Sequence, residues 1–244
     1  LPLLEKVGLG DDAFRLGLSA RIDPKAPGAP VEQLIAARKK AAERILSDSQ
    51  AADLVELWEA DKLNPSATLA ENVLFALPAD PTVSMGNLAT DPLVIKFLDS
   101  AGIADEFLQM GVEIARTMVE LFAQLSGEGS LLAEFSFITP DELPNYDRLI
   151  KRIDKQGIGK LSKSERSDLM GLAFELVPAR HRLDILNDDR ERKIVEARPA
   201  FRALIDSEGD DRFVPFSPDL LCPPLSTEDN ALSGTPRVST RGSR

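Results

Sequence analysis

The feature that most constrains this sequence is the spacing of its apolar residues, which recur every three or four positions almost throughout. That spacing places them on one face of an α-helix, whereas the period-two alternation that marks half-buried strands is nearly absent. The longest stripe covers residues 103–125, about six turns of helix, and ends at Ser126-Gly127. We therefore predict an all-α fold, an irregular multi-helix domain, with residues 103–125 as its central core helix.

Local signals predict where other helices begin and end. Residues 31–46 carry an apolar face opposite a charged one and are predicted to form a surface helix. An N-cap aspartate followed by proline at 91–92 starts the next predicted helix, and Gly102 suits its end. Two capping boxes, 139–142 and 162–165, are each predicted to open a helix, because the hydroxyl and the acid three residues later satisfy backbone donors.

The C-terminal part of the chain differs in composition. Residues 188–204 are predicted to form a charged helix that Pro199 interrupts, because proline lacks the N–H that a helix interior uses. After Phe213 prolines become frequent, and the sequence ends in a polar stretch that is too polar to pack. We therefore predict a helical domain over 1–212 and a Pro-rich segment over 213–244 that ends in a disordered polar tail.

The charge balance excludes one class of partner. The 244 residues carry 29 Lys+Arg against 40 Asp+Glu, a formal net charge of -11. This excess of negative charge repels a phosphate backbone instead of releasing its counterions, so we do not expect the chain to bind nucleic acid. The apolar runs are well below the ~20 residues that cross a bilayer, so no membrane span is predicted.

The cysteine count and the first residues indicate where the protein acts. The single cysteine, Cys222, forms no internal disulfide, and residues 1–6 lack the basic and apolar regions of a signal peptide. We therefore expect a reducing, cytoplasmic location. The sequence begins without Met and enters directly into an amphipathic pattern, so we expect a piece of a longer protein.

The sequence contains no complete catalytic or nucleotide-binding motif. The nearest approach to a phosphate loop, residues 154–161, lacks the first glycine and the hydroxyl that reaches magnesium, so Gly157 and Gly159 are interpreted as a helix C-cap and turn. His181 has no second histidine nearby and is interpreted as an exposed or half-buried helical residue. Cys222 has no adjacent cation or histidine and is interpreted as structural.

Three acidic pairs, 105–106, 188–189 and 210–211, could supply paired carboxylates for glycoside chemistry or calcium binding. None has the spacing of a calcium loop, and acids near a helix start interact favourably with its dipole. We interpret them as solvated helix ends. Catalytic residues, cofactor-binding residues and metal ligands are accordingly predicted as none in this chain.

One stretch of the sequence occurs twice at a fixed spacing. Residues 58–65 and 216–223 agree in an aromatic residue, Asp, Leu and Pro, and the agreement continues into 68–78 and 226–236. Each copy has a hydroxyl residue, then an acid-Asn pair, then apolar residues, the pattern of a turn and cap that start a helix. Two explanations are open, an internal repeat or the chance recurrence of a common helix start.

Within the first copy, the residues of the helix start have different predicted roles. Thr68 is predicted to cap the helix by accepting from the backbone N–H of Glu71, whose side chain returns the bond. Asn72 has no part in this cap. One hypothesis is that its amide anchors a neighbouring loop, which would give it a role in assembly.

Thr68-Leu-Ala-Glu71-Asn72-Val-Leu-Phe resembles a stretch in the helical subdomain of exporter-type ATP-binding-cassette (ABC) ATPases, with Ala76 where that family usually has Gly. Other short segments are similar, in the same order, to a long helical insertion that splits the ATPase in a group of bacterial ABC transporter proteins. These segments are 14–18, 21–24, 64–68, 113–122, 135–138 and 179–183. The resemblance covers residues 11–238.

The resemblance implies a non-catalytic helical segment of a bacterial ABC transporter ATPase that contributes to coupling or regulation of ATP-driven transport. ATP and Mg would bind only in the parent protein, because the family's phosphate loop, signature and Walker B acids are missing from this sequence. The implied partners are the remainder of the ATPase and its transmembrane part, at the inner face of the cell membrane. The implied interaction residues are Thr68, Glu71, Asn72, Asp229 and Asn230.

Two other functions remain as alternatives. The first is a free-standing acidic helical scaffold or adaptor protein with no transporter attached. The second is an enzyme that uses an unrecognised pair of acids.

Overall fold

A computed structural model describes residues 6–124 and 138–238. Helices dominate these residues, which confirms the predicted all-α multi-helix fold. The helices are α1 (Gly10–Ser19), α2 (Val31–Ser47), α3 (Ser49–Ala52), α4 (Leu69–Leu74), α5 (Pro92–Ser100), α6 (Ala104–Gln124), α7 (Leu143–Gln156), α8 (Lys163–Glu175), α9 (Pro178–His181), α10 (Asp188–Glu208) and α11 (Thr227–Leu232). Two 3₁₀ turns, Met85–Thr90 and Ile158–Lys160, join some of them. No described helix is both long and apolar enough to cross a membrane.

Four short strands form two small antiparallel sheets in this part of the chain. They are β1 (Val55–Leu57), β2 (Ala76–Pro78), β3 (Phe213–Pro215) and β4 (Gly234–Pro236). Strand β1 pairs with β4, and β2 pairs with β3. Both pairings therefore join the first third of the chain to its last described residues.

The core is centred on α6, as the apolar stripe predicted. Phe107 and Ile114 on this helix are fully buried, and its neighbour α8 crosses close to its backbone. The crossing is at Gly111, where an added Cβ would lie 1.9 Å from the carbonyl oxygen of Leu169. Glycine therefore permits this close contact between α6 and α8. The predicted end of the stripe, Leu125 to Gly127, lies outside the described residues.

Most of the predicted helix boundaries are confirmed. Asp91 caps α5 by accepting from the backbone N–H of Leu93 at 2.9 Å, and Gly102 follows that helix with a φ of +70°. Ser162 and Glu165 form the predicted capping box of α8. The predicted box at 139–142 does not open a helix directly, because residues 140–142 form a turn and the helix begins at Leu143.

The prediction that Pro199 interrupts its helix was wrong, since α10 continues through it to Glu208. Pro199 itself is exposed, on the side of α10 away from the core. Its neighbours Arg198 and Phe201 are buried and fix the helix on both sides of the proline. Tertiary packing therefore offsets the local cost.

The predicted Pro-rich segment 213–244 is represented by residues 213–238, which contain β3, α11 and β4. These elements pack against α2, β1 and β2 from the first 80 residues. The end of the predicted polar tail, residues 239–244, lies outside the described residues.

Candidate functional site

The two copies of the sequence repeat start their helices in the same way. Thr68 Oγ1 accepts from the Glu71 backbone N–H at 3.1 Å, and Ser226 Oγ accepts from the Asp229 N–H at 3.0 Å. Each hydroxyl also donates to the carboxylate of the same acid, at 2.7 Å in the first copy and 2.6 Å in the second. The predicted roles of Thr68 and Glu71 in a capping box are confirmed.

Asn72 and Asn230 are buried, with exposed fractions of 0% and 2%. Each anchors the loop that precedes its helix. The Oδ1 atom of Asn72 accepts from the backbone N–H of Asn64 at 2.7 Å, and its Nδ2 donates to the carbonyl of Asn64 at 2.8 Å. Asn230 makes the same two bonds to the backbone of Cys222, at 2.8 and 2.9 Å. The hypothesis that the Asn72 amide anchors a neighbouring loop is thereby confirmed.

Two buried arginines complete the arrangement, one for each asparagine. Arg198 of α10 donates through Nε to the Asn72 carbonyl at 2.8 Å and through Nη2 to Asn72 Oδ1 at 3.1 Å. Arg38 of α2 donates to the same two atoms of Asn230, at 2.6 and 3.1 Å. The Nη1 donors bind loop carbonyls, those of Glu59 and Ala60 for Arg198 and those of Ser217, Pro218 and Leu220 for Arg38.

Both guanidinium groups donate to backbone carbonyls and to an asparagine side chain, and the nearby carboxylates of Asp61 and Asp219 also favour the charge of Arg198 and Arg38 respectively. Burial lowers the pKa of Arg198 to about 10 and lowers the pKa of Arg38 as well. Arg198 stays protonated at neutral pH, since its lowered pKa lies well above 7. Each arginine binds several carbonyls of one loop, which holds that loop in place.

Each half-site consists of one of these asparagines with its helix start, the loop before it and its arginine, and the arginine comes from outside both copies of the repeat. Arg198 follows the first copy by more than 100 residues but binds its asparagine, and Arg38 of the first part binds the asparagine of the second copy. The strands cross over in the same sense, and the N–H groups of Trp58 and Phe216 donate to Ser233 and Phe75 at 3.0 and 2.9 Å. These matched contacts extend far beyond a helix start, so the stretch is an internal repeat and not a chance recurrence.

A groove lies where the two half-sites meet, with a cavity of about 550 Å³. Its floor is aromatic, because the rings of Trp58 and Phe216 stack with centroids 4.8 Å apart and Phe75 meets both edge-on. Leu220 at its edge is 59% exposed. This volume is within the ~300–1,000 Å³ of most ligand sites.

Acidic side chains surround the aromatic floor. Asp61, Glu71 and Asp229 line the groove, and among residues 6–124 and 138–238 none of them forms an ion pair with a lysine or arginine. The nearby Asp219 is different, since Lys39 lies 3.1 Å from its carboxylate. The groove therefore offers apolar surface within a negatively charged rim, an arrangement suited to a cationic partner.

The structure brings all five predicted interaction residues to this one region. Thr68, Glu71 and Asn72 build the first half-site, and Asp229 and Asn230 build the second. Of these, Glu71, Asp229 and Asn230 line the groove. Because Asn72 and Asn230 are buried, they act on the groove by holding the loops beside it in place.

Cys222, His181 and Gly157 occupy the structural positions predicted for them. Cys222 is buried, which raises the pKa of its thiol to about 11 and disfavours a thiolate. His181 is half-buried at the end of α9, where its Nδ1 accepts from the Val177 N–H at 2.9 Å. Gly157 ends α7 with a φ of +79°, as a C-cap. The described residues contain no group of three or more acids, His or Cys that could hold a metal ion.

Two acidic pairs lie at helix starts, as predicted, and the third does not. Asp105 and Glu106 are in the first turn of α6, and the 188–189 pair is in the first turn of α10. Glu106 is not solvated as predicted, because it is half-buried and pairs with Arg190 and Lys193. Asp210 follows the end of α10 and binds Arg212, which also reaches Asp91. Asp210 is therefore part of an ion network that tethers α5 to the loop before β3.

Sequence reasoning missed the two arginines. Arg38 has one local signal, its position on the otherwise apolar face of α2, where an unpaired charge would be costly. Arg198 has no local signal in the sequence beyond its place beside Pro199. Their partners are remote in sequence, so no local pattern identifies them.

Comparison with known proteins gives no relative of this chain. No family model matches it, and neither a curated protein nor a solved structure does. The repeated half-sites and the groove between them are therefore the features from which function is inferred.

Proposed function

We propose that the chain is a non-catalytic helical segment of a bacterial ABC transporter ATPase, which contributes to coupling or regulation of ATP-driven transport. It has no ATP site of its own, and ATP and Mg bind in the parent protein. Its partners are the remainder of the ATPase and the transmembrane part, which hold it at the inner face of the cell membrane.

The observation that carries this proposal is the position of the motif residues beside an open groove. Thr68, Glu71 and Asn72, the residues of the resemblance, form one rigid helix start, and Glu71 faces the groove. The groove offers stacked aromatic rings and unpaired acids, the properties of a protein contact surface. A contact surface is what a coupling or regulatory segment requires.

Capture of the parent ATPase tests the proposal. The tagged chain is incubated with the rest of the protein encoded by the same gene, and retention is compared for wild type, Asp61→Arg and Glu43→Arg. Both positions are exposed acids without an ion pair in the described residues, but only Asp61 lines the groove. We expect retention by wild type and Glu43→Arg and a loss for Asp61→Arg.

Two results would contradict the proposal. Equal retention by all three proteins would show that the groove is not the contact surface. A gene that encodes no ATPase around the chain would favour the free-standing scaffold or adaptor.

A further inference from the structure

The two half-sites differ most at the residue that ends the short helix. Phe75 and Ser233 occupy matching positions after α4 and α11, both in the left-handed conformation, with φ of 46° and 48°. The guanidinium carbon of Arg198 lies 4.4 Å from the centroid of the Phe75 ring. Ser233 provides no ring for Arg38, the matching arginine.

The second half-site also has smaller side chains at the two positions after Ser233. Gly234 and Thr235 stand where the first copy has Ala76 and Leu77. Ser233, Gly234, Thr235 and Arg38 all line the groove. The space beside Gly234 is filled by β1, because an added Cβ would lie 2.6 Å from the carbonyl oxygen of Glu56. The side-chain volume that is missing from the cavity is therefore that of the ring at Phe75, which Ser233 does not replace.

The guanidinium of Arg38 is suited to stacking. Its hydrogen bonds to Asn230 and to the loop carbonyls lie along the edge of the guanidinium plane, where its N–H groups point. Those bonds do not use the faces of the group, and Arg38, although only 6% exposed, lines the cavity. A ring in the cavity can therefore stack on Arg38 as Phe75 stacks on Arg198.

We propose that this cavity binds one aromatic side chain of a basic peptide segment from a partner protein. The ring takes the place over Arg38 that Phe75 takes over Arg198, and it packs against Trp58 and Phe216. Lysine or arginine residues beside it in the peptide face Asp61, Glu71 and Asp229. The proposal rests on the proposed function only in treating the groove as a contact surface.

Trp58 is the single tryptophan of the chain and forms the cavity floor, so its fluorescence reports binding directly. The probe is the peptide acetyl-Lys-Arg-Phe-Arg-Lys-amide. The control peptides replace its Phe by Ala, or its four basic residues by Glu and Gln. We expect saturable binding of the probe, about tenfold weaker binding of the Ala peptide, and no binding of the acidic peptide.

Ser233→Phe tests the position of the ring. The left-handed backbone already accommodates Phe at position 75, so this variant should fold, and its ring should fill the cavity. We expect its melting temperature to be no lower than that of wild type and its affinity for the probe to fall about tenfold or more. Ser233→Ala, the matched control, keeps the cavity open and should bind the probe like wild type.

Equal affinity of the Phe and Ala peptides would overturn the proposal, and this comparison needs no variant to fold. So would unchanged probe binding by a folded Ser233→Phe. Either result, together with intact capture of the parent ATPase, would remove this inference and leave the proposed function. Probe binding without any capture of an ATPase would remove the proposed function and leave this inference.

Discussion

Replacement of Asn72 by alanine should destabilise the fold far more than replacement of its motif neighbour Thr68. Asn72 is 0% exposed. Its Oδ1 accepts from Asn64 N and Arg198 Nη2 at 2.7 and 3.1 Å, and its Nδ2 donates to the carbonyls of Asn64 and Thr68 at 2.8 and 2.9 Å. The side chain therefore connects α4, its preceding loop and α10.

The magnitude follows from which groups lose their only partner. Alanine leaves the buried Asn64 N–H without an acceptor, at a cost of about 1–3 kcal/mol. Loss of the bond to the charged Arg198 adds about 1.5–3 kcal/mol. The carbonyls of Asn64 and Thr68 keep other donors, at 3.3 and 3.0 Å, and add little. We expect a loss of about 3–5 kcal/mol, which lowers the melting temperature by about 6–20 °C for a chain of this size.

Thermal unfolding followed by circular dichroism measures the difference. Thr68→Ala removes only the cap and should cost about 0.5–2 kcal/mol. Asn230→Ala, the matched change in the second half-site, should resemble Asn72→Ala, because it also leaves a buried backbone N–H, that of Cys222, without an acceptor. If Asn72→Ala melts no lower than Thr68→Ala, the amide does not anchor the loop and this reasoning is refuted.

Three further measurements test other parts of the structure. Gly111→Ala should destabilise the core by about 1–3 kcal/mol in urea unfolding, because its Cβ would lie 1.9 Å from the Leu169 carbonyl oxygen; no change would mean that the helices separate freely. Burial lowers the pKa of His181 from 6.5 to about 4, so the unfolded chain binds a proton first and stability should fall as the pH drops from 6.5 toward 4. His181→Gln should make the free energy of unfolding less dependent on pH between 6.5 and 5, where few carboxylates titrate. An unchanged pH dependence would contradict the lowered pKa of His181. Calorimetry with Mg-ATP should give no binding heat, and a micromolar dissociation constant would point back to Gly157 and Gly159.

The parts of the fold that sequence could predict are those with local causes. Asp91 and Ser162 cap their helices through bonds that reach only two or three residues along the chain. The stripe on α6 predicts burial because every turn contributes to the same face. The repeat could be found because both copies retain the hydroxyl-x-x-acid-Asn order.

The parts that sequence could not predict depend on distant contacts. Arg38 and Arg198 bind residues more than 100 positions away, and nothing near either one specifies that partner. Pro199 would end an isolated helix, but packing on both sides holds α10 together. The groove likewise arises only when the two copies exchange strands, so its aromatic floor was not predictable from either copy alone.

The most direct test of the proposed function is the coding sequence on either side of this chain. We expect a phosphate loop and a glutamine loop in the same reading frame before Leu1, and a Leu-Ser-Gly-Gly-Gln signature with Walker B acids after Arg244. A start codon directly before Leu1 and a stop codon directly after Arg244 would contradict the account, because the chain would then be a free-standing protein.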